Sequence, residues 1–279
     1  PETEVKVIYC YPQHDLKESF QNKKIPLQFV NFSEKAPMLF NINKMKRILK
    51  EEKPDLVVSC LFRSNIISRI ACKQLGIPIV GTLVSDSYSK QRISSFSITR
   101  KLAFLFYYWI DRITASIPCH WIANSAYIKE SNAAALKINK NNISVIYRGR
   151  DTNNFPEIEF KNPSTDFKFI TIGRLLQTKG LIELIHSFSQ LIKELPQVTL
   201  HIYGDGNFRT TLESEIQTLG LTHAVFLWGK KPDAYIHLYE AHCFVFPSWY
   251  EGFSGALVEA MMTGIPIIAS DIPLSLIHI

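Results

Sequence analysis

The chain has 279 residues, 46% of them hydrophobic, which is enough apolar content for two ordinary cores. Its net charge of +6 is unevenly placed: residues 1–160 hold 23 Lys and Arg against 14 Asp and Glu, and residues 161–279 hold 8 against 11. Five scattered cysteines with no C-x-x-C pair exclude a disulfide scaffold, and no apolar run approaches the ~18 residues of a membrane span.

Those cysteines (Cys10, Cys60, Cys72, Cys119 and Cys243) fit small buried hydrophobes in a reducing compartment. No signal-peptide pattern stands out, so the expected location is cytoplasmic, with peripheral contact at the inner membrane face open to the basic half. That half suits an anionic partner such as a lipid headgroup, a membrane surface or a phosphate-bearing substrate; a solvated basic face is the plainer alternative. No nucleic-acid partner is expected, because no recognised motif or aromatic–basic interleaving accompanies the charge.

In chain order, strands are expected at Glu4–Cys10, Leu27–Phe32, Asp55–Cys60, Ile77–Leu83, His120–Asn124 and Ile143–Tyr147. Between them Ile42, Met45, Ile48 and Leu49 share one helix face, as do Ile66, Ile67, Ile70, Ala71 and Leu75 in the next helix. Gly76 and Pro78 end that helix and open the following strand. The stretch from Leu102 to Ile110 is apolar all round, with Arg100, Lys101 and Arg112 beside it. It is expected to be a helix buried between sheet and neighbours, although aromatic and basic residues also suit an interfacial helix.

A polar, proline-bearing stretch from Arg148 to Asp166 has no periodicity and is expected to be a linker. The alternation then resumes with strands at Phe167–Ile172, Val198–Tyr203, Val225–Trp228, Cys243–Phe246 and Ile267–Ala269, and with a helix from Leu181 onward. The fold class is α/β: two doubly wound domains, 1–150 and 151–279, with ligand expected in the cleft between them at the carboxyl ends of the strands.

The most informative stretch runs from Glu251 to Ala260. Glu251 falls in a strand-to-helix turn and Glu259 about two turns inside the helix, with Gly252, Phe253 and Ser254 at the turn. Unpaired N–H groups and the positive helix end favour a phosphate there, and the two acids reach hydroxyls on either side. A sugar nucleotide has that layout. Gly173 and Arg174 follow an expected strand, with Lys179 and Gly180 opening the next helix. Two cations five residues apart can hold a diphosphate, and cations at a helix start are otherwise a misfit. Gly204, Asp205 and Gly206 end a further strand in a turn. Arg148 and Arg150 flank Gly149 at the domain junction, either as acceptor-side charge or as solvated arginines.

In this order and spacing, Gly173-Arg174, Lys179-Gly180, Gly204-Asp205-Gly206 and Glu251-Gly252-Phe253-Ser254 with Glu259-Ala260 resemble the retaining glycosyltransferases of family 4, which have the GT-B fold of two Rossmann-like domains. Ala123-Asn124-Ser125 and Val145 to Asp151 extend the likeness over most of the chain. The resemblance implies transfer of a sugar from a nucleotide-diphosphate donor to an acceptor hydroxyl with retention, in polysaccharide or glycolipid biosynthesis. A glycan or lipid-linked acceptor would be the second substrate. It assigns Glu251 to donor-sugar hydroxyls, Glu259 to the ribose, and Arg174 and Lys179 to the diphosphate along with the amides of Phe253 and Ser254. No cofactor and no metal is expected.

The chain also departs from the family. Tyr9-Cys10-Tyr11-Pro12 lacks the glycine-rich loop after the first strand, and Pro273 to Ile279 matches nothing expected after Asp271. A fragment without its N-terminal loop and C-terminal helices is the expectation, and such a piece can be inactive. Gly81 to Asp86 has no acceptor-side histidine, leaving Asp86 as a substitute. The alternative reading is therefore a catalytically silent GT-B module that binds nucleotide or sugar. A dinucleotide oxidoreductase fails because no Gly-x-Gly-x-x-Gly follows an expected strand. A metal enzyme fails because the eight histidines never pair at ligand spacing with acids or cysteines.

Overall fold

The computed structural model describes residues 3–12, 14, 17–33, 37–89, 92–93, 96–155 and 166–272. The closing segment from Pro273 and the middle of the expected linker lie outside the described residues. By backbone proximity the chain forms two compact units: Pro1–Leu83 with Leu102–Ala123 and Ala133–Ser144, and Val84–Lys101 with Asn124–Asn132 and Val145–Ile279.

The first unit holds β1 (Val7–Tyr9), α1 (Lys17–Asn22), β2 (Leu27–Phe29), α2 (Met38–Glu52), β3 (Val57–Ser59), α3 (Phe62–Leu75) and β4 (Ile79–Leu83). It continues through most of α4 (Ile98–Thr114), β5 (His120–Ala123), part of α5 (Ala126–Leu136) and β6 (Ile143–Val145). Strands β1 and β2 pair in parallel, and β3-β4-β5-β6 form a second sheet in that order. The expected apolar face of α2 is the one that packs: Ile42, Met45, Ile48 and Leu49 form one cluster with Ile67, Ala71 and Ile79. Helix α3 stops at Gly76, whose φ of +70° is accessible to glycine and whose N–H reaches the carbonyl of Cys72.

Helix α4 corrects the expectation of a buried helix. Its one buried residue is Asp111. Arg69 of α3, itself fully buried and stacked 5.2 Å over the Trp121 ring, pairs with that carboxylate. The pair sets the rotation of α4, because an unpaired buried charge would cost several kcal/mol, ~3–5 when one partner is removed. Turning Asp111 inward turns the opposite face outward: Ile98 and Ile113 are 79% and 72% exposed.

The cysteine expectation holds for Cys10, Cys72 and Cys243, which are buried, and fails for Cys60 and Cys119, which are exposed; all five are free thiols. Burial pushes the Cys72 thiol up to about 11, and burial does the same for Cys10 against a weaker opposing bond from Ser64.

The second unit is built on a parallel five-stranded sheet ordered β11-β10-β7-β8-β9, from β7 (Lys168–Ile172), β8 (Thr199–Tyr203), β9 (Val225–Gly229), β10 (Cys243–Phe246) and β11 (Ile267–Ala269). Its helices are α6 (Leu181–Glu194), α7 (Arg209–Thr218) and α8 (Gly255–Thr263). Leu181, Ile185 and Phe188 of α6 pack with Leu200 and Ile202 of β8 in one core cluster. On the other side Leu257 and Ala260 of α8 pack with Phe244, Phe246 and Ile170. Both units thus have the Rossmann-like α/β architecture of a GT-B fold.

Candidate functional site

In the second unit the chain first lays β7, β8 and β9 side by side, then returns to place β10 and β11 on the other flank of β7. Loops leaving adjacent β7 and β10 therefore diverge, which opens a crevice at their carboxyl ends. Gly173, Arg174 and Lys179 follow β7, and Pro247 to Ser254 follow β10. Thr171, Gly173, Arg174, Lys179, Pro247 and Ser248 line a small hollow there that opens to solvent.

Two glycines let these loops close on one another. Gly180 has φ +64°, and a Cβ there would stand 2.0 Å from the carbonyl oxygen of Pro247. Gly204 has φ +138°, and a Cβ there would stand 1.7 Å from the carbonyl oxygen of Gly173. No other residue fits either contact without moving backbone. Hydrogen bonds fix the same approach: Trp249 N–H donates to Thr178 O at 3.0 Å, and Leu175 N–H donates to Asp205 O at 3.0 Å.

Across this crevice Lys179 donates from Nζ to Oε1 of Glu251. Ser248, 1% exposed, points its hydroxyl at the same oxygen at 3.5 Å. Arg174 is exposed on the rim. At the head of α8, Ser254 caps the helix by accepting from Leu257 N–H at 3.3 Å, so one amide of the first turn is already taken. Phe253 packs into the apolar cluster beneath. Gly252 is buried, and a Cβ there would stand 2.5 Å from the carbonyl oxygen of Val84. Asp205 is exposed and accepts from Gly206 N–H at 2.8 Å.

Arg150 was expected on the acceptor side, and the structure places it against α8. Its Nε donates to Glu259 Oε1 at 2.6 Å, and its guanidinium lies across Gly255, where a Cβ would meet Nη2 at 2.0 Å. Gly255 is thus the space that Arg150 fills, a relation that spacing alone does not signal. Arg148 stays exposed. Asp86 is 4% exposed, and its two oxygens accept from Tyr127 at 2.8 Å and Ser131 at 2.7 Å. Burial, together with the bond to that carboxylate, pushes the Tyr127 hydroxyl up to about 12. Ser125, from the Ala123-Asn124-Ser125 segment, points its hydroxyl at the carbonyl of Gly252 at 3.3 Å.

The structure therefore gathers Arg174, Lys179, Glu251 and Ser248 at one crevice, and Arg150 with Glu259 along the helix that borders it. Asp86 is held in a separate hydrogen-bonded cluster. Sequence reasoning missed both pairings of the acids with cations, Lys179 with Glu251 and Arg150 with Glu259.

Known proteins share this architecture. The family model described as Glycosyltransferase Family 4 matches residues 2–154, and the model described as Glycosyl transferases group 1 matches residues 154–276. An uncharacterized glycosyltransferase of Methanocaldococcus jannaschii is 31% identical over 92% of this chain and 66% of its own length. The Escherichia coli UDP-Gal:alpha-D-GlcNAc-diphosphoundecaprenol alpha-1,3-galactosyltransferase is 28% identical over 81% of this chain and 60% of its own. The chain thus spans about two thirds or less of these relatives. In structure it resembles Anabaena HepE in complex with UDP and glucose, with a TM-score of 0.76 and 21% identity over 94% of this chain and 72% of that one. A glycosyltransferase from Rickettsia africae gives a TM-score of 0.71 and 20% identity over 98% and 73%. The first family model alone covers more than half of the residues, and the chain belongs to glycosyltransferase family 4.

Proposed function

We propose that the full-length protein transfers a sugar from a nucleoside-diphosphate donor to a hydroxyl of a glycan or lipid-linked acceptor, with retained anomeric configuration. The observation that carries this reading is the pairing of Lys179 with Glu251 at the strand switch point, beside Arg174. The cation and the carboxylate neutralise one another. A bound diphosphate would take Lys179, and Glu251 would then accept from hydroxyls of the donor sugar. Glu259, held by Arg150, is the group assigned to the ribose.

In the transfer step the acceptor oxygen bonds to the anomeric carbon on the face that the leaving phosphate oxygen vacates, and the acceptor hydroxyl's proton passes to that phosphate oxygen. The electron pair leaves with the diphosphate, so negative charge grows where Arg174, Lys179 and the head of α8 can meet it. The reaction as proposed uses no metal. Preorganised donors of this kind are each worth ~10²–10³ in rate. The E. coli relative is named for a UDP-Gal donor and a diphosphoundecaprenol-linked acceptor, and CapM of Staphylococcus aureus for capsular polysaccharide biosynthesis. These names support polysaccharide or glycolipid assembly.

The second reading, a silent binding module, is favoured by Asp86. Its carboxylate is buried and engaged, so it offers the acceptor no base at the end of β4. A thermal-shift screen with UDP-, GDP- and ADP-sugars, followed by transfer assays on the full-length parent, separates the two. Stabilisation by one donor together with turnover supports transfer. Stabilisation without turnover supports the module, and no stabilisation by any donor contradicts both.

A further inference from the structure

We propose that Arg150 sets how the site reads a ribose: because its guanidinium holds one oxygen of Glu259, that carboxylate accepts from a single ribose hydroxyl. The inference rests on the donor reading above and on the assignment of Glu259 to the ribose. An unengaged carboxylate can accept from two neighbouring hydroxyls at once, one on each oxygen. The 2′- and 3′-hydroxyls of a ribose are such a pair. Here Nε of Arg150 already donates to Oε1 at 2.6 Å, and among the described residues Oε2 has no hydrogen-bond partner. Both partners of that bond are ionic, so a neutral hydroxyl does not displace the guanidinium.

The surroundings keep the guanidinium in place. Gly255 and Glu259 stand one helical turn apart on α8 and so share a face. Arg150 spans both, and its Nη2 lies 2.0 Å from where a Cβ on Gly255 would stand, so the missing side chain is what admits it. Its Nη1 donates to Gly149 O at 3.2 Å. The backbone beside it is fixed as well: Asp151 accepts from Asn153 N–H at 3.0 Å, and the Phe155 ring lies 4.9 Å from that of Tyr235. The Arg150 and Glu259 side chains are only 21% and 18% exposed, so salt and water screen the pair little. One side of the carboxylate is thus filled by protein, and the other is left for ligand.

The test is calorimetric titration of the 279-residue chain with UDP, GDP and ADP and with the 2′-deoxy and 3′-deoxy counterparts of each. For the diphosphate that binds, one deoxy counterpart should bind within about twofold of it. The other should bind at least about tenfold more weakly, the cost of a lost bond to a charged group. Arg150→Ala frees Oε1, so in that variant both counterparts should bind at least about fivefold more weakly than the ribose compound. Gly255→Ala keeps the charge, pushes the flexible end of Arg150 aside and should give the same pattern; alanine suits a helix interior. Each readout is a ratio within one protein, so a general change in affinity cancels. In the parent chain, a penalty for both counterparts or for neither overturns the proposal. So does selectivity between the counterparts that survives in both variants, the result expected if Arg150 merely fastens this stretch to α8. Failure of every ribose diphosphate to bind the parent chain contradicts the donor reading itself, and this proposal with it.

Discussion

Arg150 donates from Nε to Oε1 of Glu259 at 2.6 Å, joining residues 109 positions apart in the sequence. Arg150→Ala leaves that carboxylate without its cation at the edge of the proposed diphosphate site. Nucleoside-diphosphate affinity should fall about tenfold, ~1.4 kcal/mol, while Arg150→Lys, lacking the planar fork, should recover part of it. Titration calorimetry on the two variants measures this, and unchanged affinity in Arg150→Ala would remove Glu259 from the binding site.

Glu251 and Lys179 make an opposite prediction for binding and transfer. Glu251→Gln keeps the shape and removes the charge that neutralises Lys179. Free nucleoside diphosphate should bind as well as before or better, while transfer by the full-length parent should drop ~10²-fold or more. Parallel loss of both quantities would mean that Glu251 acts only through folding.

Arg69 and Asp111 test what orients α4. Arg69→Ala should destabilise by ~3–5 kcal/mol in denaturant melts, because it leaves a buried carboxylate unpaired. The double replacement Arg69→Met with Asp111→Leu should recover most of that loss. A small cost for Arg69→Ala alone would show that the pair does not fix the helix.

His201 makes stability depend on pH. Its ring stacks on Trp228 with centroids 5.8 Å apart, and Trp228 Nε1 donates to its Nδ1 at 2.8 Å, a bond that protonation breaks. Burial first, and then the charge of Lys168, lower its pKa from 6.5 to about 4, with Glu240 opposing. The unfolded chain thus takes up this proton first as pH falls. The contribution is present in full above pH 6.5 and is lost between there and about pH 4. It amounts to ~3 kcal/mol at most. His201→Phe cannot titrate, so its melting temperature should fall less over that window than the parent's; equal falls would contradict the assignment.

The fold was largely legible in the sequence. Short β-rich runs bounded by glycine and proline locate the strands, and Ile42, Met45, Ile48 and Leu49 mark a helix face that does pack inward. Strand ends were overextended: Glu4–Cys10 shortens to Val7–Tyr9. The rotation of α4 was not legible. An all-round apolar run does not say which side faces in, and the decision lies in a pair 42 residues apart. The same holds at the site, where strand-to-helix turns announced Glu251 and Lys179 separately but not their bond. Arg150 filling the space over Gly255 is likewise a long-range fact that local spacing does not encode.

The most direct test is calorimetric titration of UDP, GDP and ADP into the chain and into Lys179→Ala. One nucleoside diphosphate should bind the parent chain, and the variant should bind it at least about tenfold more weakly with an unchanged fold by circular dichroism. Equal affinity in the two proteins, or no binding of any of the three to the parent, would contradict a diphosphate held at this crevice.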